Sequence, residues 1–214
     1  KAFTERPKPP FTTSTLQQEA GRKLRFSAGR TMRVAQGLYE RGYVTYVRTD
    51  STNLSDQAIN GAREQIRSLY GNDYLPDAPR TYQGKVKNAQ EAHEAIRPAG
   101  EHMRSPDDVR SELGTDERRL YQLVWMRRLA YQMTDARARR VSVQLAATST
   151  AGETAVFAAS GKTYEFLGFR RAYVEGADDP AAEREDAESP MLVLAEGDAV
   201  RCETESTNWL REFY

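Results

Sequence analysis

The feature that most limits what this chain can fold into is a change in its hydrophobic period near residue 140. Ahead of that point apolar residues recur mostly every three to four positions, and beyond it they recur every second one. Thr15 with Gln18 three residues on fits a capping box, so TLQQEAGRKL reads as a short helix. Ser27 caps a second, in which TMRVAQGLYERG puts Met32, Ala35, Leu38 and Tyr39 on one face before stopping at Gly42. On that face Tyr39 reads as a core residue rather than a platform for base stacking. Ser55 caps a third, with Ala58, Ile59, Ala62, Ile66 and Leu69 aligned and Gly71 at its end. EAHEAIRP reads as a short helix stopped by Pro98, and Ser105-Pro106 as a cap followed by proline at the first helical position. The longest helix starts at Thr115 and runs to about Asp135, with Leu120, Leu123, Val124, Leu129 and Met133 inside.

One early segment breaks the helical period. Tyr43 to Val47 are β-branched or aromatic throughout, which predicts a strand. Helix, helix, strand is the order of a helix-turn-helix with a β wing. From Arg140 the chain is β in character: VSVQLAA alternates, TAVFAASG follows a glycine-containing turn, and KTYEFLGFRRAYV completes an expected three-strand meander. MLVLAEGDAVRCE reads as one more strand. The fold class is therefore α+β. Residues 1–12, with three prolines, read as an extended entry segment, and residues 176–190, with six acids and two prolines, as a linker.

Equal numbers of acidic and basic residues, 31 of each, hide an asymmetry. Residues 1–70 hold 12 Lys+Arg against 6 Asp+Glu, whereas residues 171–214 hold 4 against 12. A basic front half is the electrostatic footprint of an anionic partner, most commonly nucleic acid. Arg22, Lys23, Arg25, Arg30 and Arg33, around the first two helices, could track a phosphate backbone; a solvated surface would look the same. A single cysteine, Cys202, leaves no intramolecular disulfide and no Cys-based zinc site. No apolar run approaches the ~18 residues of a membrane span, so a cytoplasmic protein is expected. The acids of 178–188 have no regular ligand spacing, and no metal site is expected in the chain.

The segment Thr45-Tyr46-Val47-Arg48-Thr49-Asp50-Ser51 is the one that carries chemistry. In an extended chain residues 46 and 48 share a face. A phenol and a guanidinium side by side suit phosphoryl transfer, the first as nucleophile and the second as a bidentate phosphate contact. Free tyrosine, with a pKa near ~10, is only about 0.1% phenolate at pH 7, so such a site needs a neighbouring cation. An amphipathic strand with a surface arginine fits the same pattern.

Longer motifs narrow this choice. STLQQEAGRKLRFSAGRTMRVAQGLYERGYVTYVRTDSTNLS resembles the active-site region of the bacterial DNA topoisomerase I, or type IA, family, especially its actinobacterial members. KVKNAQEAHEAIRPAG resembles the second signature of the same domain, at a fitting distance. The likeness extends over about residues 1–175, and the tail STNWLREFY does not match. It implies that Tyr46 attacks a single-stranded DNA phosphodiester and becomes linked to its 5′ phosphate, the 3′ hydroxyl later resealing the strand without ATP. It makes Arg48 the residue that positions and neutralises the scissile phosphate, and Asp50 one that orients the turn. His93 would bond a phosphate or relay a proton, both open to an imidazole. Glu91, Glu94 and Arg97 would support the geometry from one short helix with His93, with Glu94 and Arg97 equally readable as a structural ion pair. Val47 stands where family members often carry Met or Pro, and its side chain should face away from the site. His102 has no motif around it and reads as surface.

The resemblance implies a helical, winged-helix-like (CAP-like) domain over 13–137 carrying the nucleophile. It would be inserted in a β-rich hinge or arch formed by 1–12 and 138–175, with 176–190 the linker and 191–214 a further strand and tail. It also implies an amino-terminal Toprim domain whose acidic cluster binds Mg²⁺, and nothing in this chain matches one. The chain is thus expected to be a piece of a monomeric, nucleoid-associated enzyme whose partners are single-stranded and negatively supercoiled DNA and the remaining domains. A non-catalytic winged-helix module for single-stranded DNA is the alternative. A tyrosine-recombinase-like nuclease fits less well, because its Arg and His residues precede a late tyrosine and here Tyr46 precedes His93 and Arg97.

Overall fold

The computed structural model describes residues 1–82, 93–100, 104–174, 176 and 197–199. Strand β1 (Ala2–Glu5) is followed by helices α1 (Thr13–Leu24), α2 (Ala28–Glu40) and α3 (Asp56–Tyr70). Helix α4 (Thr115–Gln132) and strands β2 (Ala136–Thr148) and β3 (Thr154–Phe166) complete the set, with short 3-10 turns at Asn72–Tyr74 and Gly168–Arg171. The described chain is a mixed α/β structure of four helices and a three-stranded antiparallel sheet.

The first helix starts three residues earlier than its sequence suggests. Thr12 is its cap, accepting from the Thr15 amide, and the Thr15 hydroxyl accepts from the Thr12 amide at 2.9 Å. A threonine thus fills the place usually taken by Glu or Gln, and Gln18 plays no part. Arg25 ends α1 in the left-handed region at φ 61°, and Ser27 at once caps α2, leaving three residues between the helices. Ser55 caps α3, whose buried face is Ala58, Ile59, Ala62 and Ile66; Leu69, expected there, is exposed.

Helix α4 is the centre of the molecule. Leu120, Leu123, Val124, Leu129 and Met133 are buried as expected, but so are Tyr121, Trp125, Tyr131, Arg127, Arg128 and Gln132. A helix enclosed this fully must satisfy its polar groups locally. Arg127 donates to the Pro9 carbonyl at 2.7 Å and lies over the Phe11 ring, and Gln132 exchanges two hydrogen bonds with the Arg80 backbone. Arg128 donates to the Ala58 carbonyl while its Nε and Nη1 have no acceptor among the described residues. Burial first, then the charge of Arg97, pull its pKa down to about 10.

Four expected features are different in the structure. The meander is not sequential: TAVFAASG and KTYEF form one strand, β3, and the third strand of the sheet is β1, which pairs with Ala136–Arg139 of β2. GFRR turns instead of extending, and Gly168 is required there: its φ is +50° and a Cβ would lie 2.4 Å from the Asp135 carbonyl oxygen. His93–Pro98 is not helical. It runs alongside two other segments, with Ile96 bridged to Phe11 and Pro98 to Val44. Its backbone groups are taken by those neighbours, which leaves none for a helical turn. Ser105 does exchange capping bonds with Asp108, but turns follow it instead of a regular helix. Glu91, His102 and nearly all of the acidic segment and the MLVLAEGDAVRCE stretch lie outside the described residues.

Candidate active site

Residues 43–47 were expected to be a strand, and the structure gives an irregular segment over 43–50 with a single bridge at Val44. Its order comes from two threonine side chains, its own Thr45 and the neighbouring Thr13. On one side the Thr45 amide donates to the Arg97 carbonyl at 2.9 Å, and the Thr45 hydroxyl donates to the Ala95 carbonyl and accepts from the Arg97 amide. On the other side Thr13, in the first turn of α1, donates its hydroxyl to the Val47 carbonyl and accepts from the Thr49 amide, both at 2.8 Å. The Thr13 amide also donates to the Thr49 carbonyl. No ladder is needed when the same backbone groups are satisfied this way.

The alternation expected of a strand nonetheless holds from Tyr46 to Asp50. Val47 and Thr49 are buried, whereas Tyr46, Arg48 and Asp50 are exposed. The Val47 side chain faces away from the surface that carries Tyr46, as expected. The Tyr46 ring is 39% exposed and lies between two other rings. Tyr39 meets it edge-on at 5.5 Å between centroids and 71°, and His93 lies at 5.7 Å and 31°. Among the described residues neither the Tyr46 hydroxyl nor the Arg48 guanidinium has a hydrogen-bond partner.

Glu94 and Arg97 turn inward. Arg97 donates to Glu94 through Nε and Nη2 at 3.0 and 2.6 Å, and the other Glu94 oxygen accepts from the Ser55 amide at 2.7 Å. Partial burial pushes the Glu94 carboxyl up, but the bonds from Ser55 and Arg97 outweigh it and hold the group below the usual carboxylate range. This pair ties the His93 segment to the start of α3 and does not share a helix with His93.

The five basic residues near α1 and α2 separate into two sets. Arg30 is paired with Asp116 at 2.6 Å, Arg22 lies 3.8 Å from Glu19, and Lys23 sits over the Tyr173 ring. Arg25 and Arg33 are exposed and have no partner among the described residues. Tyr39 is the residue that sequence reasoning misplaced: it is 39% exposed and in the site, not in the core. Its helix buries Thr31, Ala35 and Leu38, so Tyr39 falls on the flank of that stripe. Thr13 and Thr45 were missed altogether, because their contacts join segments distant in sequence.

The helical body thus presents an exposed tyrosine and arginine on one braced segment and an exposed histidine on its neighbour. A family model described as DNA topoisomerase matches residues 1–209, and the chain belongs to that family. It is 56% identical over 201 residues to DNA topoisomerase 1 of Mycolicibacterium smegmatis, and 59% identical over 199 residues to that of Mycobacterium leprae. These matches cover 94% and 92% of this chain but 22% and 21% of the relatives, so the chain spans about a fifth of their length. Full-length topoisomerase I from Thermotoga maritima superimposes with a TM-score of 0.64 at 32% identity, over 84% of this chain and 30% of that one.

Proposed function

We propose that this chain is the nucleophile-bearing part of a type IA DNA topoisomerase, an enzyme that relaxes negatively supercoiled DNA by passing one strand through a transient break in another. The observation that carries the proposal is the exposed Tyr46 ring, held beside His93 on a loop that also exposes Arg48. Tyr46 Oη attacks the phosphorus of a single-stranded phosphodiester. The Oη–P bond forms, the P–O3′ bond breaks, and the phenolic proton ends on the departing 3′ hydroxyl. Arg48 neutralises the phosphate as charge builds on its oxygens, and His93 bonds the phosphate or relays the proton. Reversal reseals the strand; the phosphotyrosine ester conserves the bond energy, so ATP is not required.

Asp50 orients the turn, and the Glu94–Arg97 pair supports it from within. Arg25 and Arg33 are the best placed of the basic residues to meet a DNA backbone, since Arg22, Lys23 and Arg30 are already engaged. The three-residue connection between α1 and α2 supports a helix-turn-helix, winged-helix-like reading of the body over 13–137, with the strands forming a hinge. The Mg²⁺ of the complete enzyme belongs, in this reading, to a Toprim domain. Among the described residues no group of three or more His, Cys, Asp or Glu could hold a metal ion, and no step here runs through one. Among the same residues no helix is long and apolar enough to cross a membrane. In this reading the enzyme acts on bacterial DNA in the cytoplasm.

The test is a labelled single-stranded oligonucleotide, incubated with Mg²⁺ and the protein, alone and with the Toprim part added, then denatured and mapped by peptide mass. An adduct on Tyr46 that Tyr46→Phe abolishes is expected. An adduct on another residue, or binding with no adduct under either condition, overturns the assignment and favours a non-catalytic DNA-binding module.

A further inference from the structure

We propose that Tyr39 is a positioning residue for the nucleophile: its ring holds the Tyr46 ring against His93. The inference rests on the assignment of Tyr46 above. The backbone on both sides of Tyr46 is pinned, at Thr45 by the 93–99 segment and at Val47 by Thr13. The side chain is not. It is 39% exposed, its hydroxyl has no partner among the described residues, and its ring contacts there are Tyr39 and His93.

A tyrosine χ1 has three staggered wells, and a change of well would swing the hydroxyl well away from its place beside His93. Of the two flanking rings, Tyr39 is on the firmer support. It lies in the last turn of α2, its carbonyl accepts from the Gly42 amide at 2.9 Å, and α2 packs against α4 in the core. His93, by contrast, is exposed and sits on a segment without helix or ladder. The Tyr39 hydroxyl has no hydrogen bond among the described residues, so its action is through the ring. The edge-on geometry is one that aromatic pairs favour, each such pair being worth a factor of about 2 to 12 in population.

The experiment compares Tyr39→Leu and Tyr39→Phe in the complete enzyme. Single-turnover rates of covalent adduct formation are measured at saturating oligonucleotide. Oligonucleotide affinity is measured separately in a Tyr46→Phe background, and thermal unfolding checks the fold. Tyr39→Leu should slow adduct formation by about 3- to 10-fold with affinity unchanged within about twofold, and Tyr39→Phe should restore the rate. Three outcomes overturn the proposal: an unchanged rate in Tyr39→Leu, a loss in Tyr39→Phe equal to that in Tyr39→Leu, or an affinity loss that matches the rate loss. The last would make Tyr39 a DNA contact. Failure of the underlying assignment is distinguishable, because adduct would then survive Tyr46→Phe.

Discussion

Two segments of this protein read alike in sequence and are built in opposite ways. Residues 46–50 and the β2–β3 hairpin both alternate with a period of two. The first has no ladder, yet Val47 and Thr49 are buried and side-chain hydrogen bonds from Thr13 and the adjoining Thr45 fix the path. In the second the ladder is unbroken from Ala138 opposite Tyr164 to Thr148 opposite Thr154, yet most side chains past Arg140 lie open. Val143, Leu145 and Ala147 face Ala159, Phe157 and Ala155 across the hairpin, and Phe157 is 61% exposed. β1 covers only the base of the hairpin, at Ala136–Arg139. A period of two therefore reports which side chains share a face. Whether that face has a core behind it is decided elsewhere.

The sharpest way to break this comparison is to make one substitution in both places. Val47→Ala removes two methyl groups from a fully buried site, and should cost about 2–3 kcal/mol from lost transfer energy and the residual cavity. Val156→Ala, at a site 65% exposed, should change stability by less than about 0.5 kcal/mol. Urea unfolding of both variants measures the difference. Similar losses would mean that the hairpin face is covered in solution and that the contrast is false.

How much was legible follows from the same distinction. Ser27 and Ser55 were readable as caps because capping is local, and the five core positions named in and just after α4 were readable because their spacing is. The exposure of Tyr46, Arg48 and Asp50 with Val47 turned inward was readable from alternation alone. The path of His93–Pro98 was not. EAHEAIRP has good helix formers, and only the distant Phe11 and Val44 hold His93–Pro98 out of a helix. Tyr39 was misread because a helical wheel cannot tell the flank of an apolar stripe from its centre when the neighbouring segment is unknown. The strand partner of β2 was misread because β1 is more than 130 residues away in sequence.

A smaller effect is expected at Thr13, whose hydroxyl stands in for the missing ladder. Thr13→Val keeps the shape and removes the bonds to the Val47 carbonyl and the Thr49 amide. The expected loss is about 1–2 kcal/mol, since the Thr49 amide is left partly buried without its acceptor. The rate of adduct formation at Tyr46 should fall with it, as the backbone beside the nucleophile loosens. Thr13→Ser, which retains the hydroxyl, should recover both. If Thr13→Val keeps full stability and rate, the side-chain brace is incidental and the single bridge at Val44 with its Thr45 bonds suffices.

The smallest effect is the one with a pH signature. Glu94 ties the His93 segment to α3, and its folded pKa lies below the ordinary carboxyl value of 4.5 because the Ser55 and Arg97 bonds outweigh the opposing effect of burial. A carboxylate with a depressed folded pKa adds stability that is complete above its unfolded value and is lost as pH falls through the folded one. Glu94→Gln should therefore be less stable than the parent at pH 7, by less than about 1.5 kcal/mol, with the gap closing below pH ~4.5. The hairpin supplies the control: Glu165 is also paired, with Arg139 at 2.8 Å, but both side chains are largely solvent-exposed. Glu165→Gln should leave the urea midpoint unchanged across the same range, because solvent competes for an exposed pair at every pH. An equal pH dependence in both variants would mean that the two regions treat their charges alike, and that the contrast between them is confined to apolar side chains.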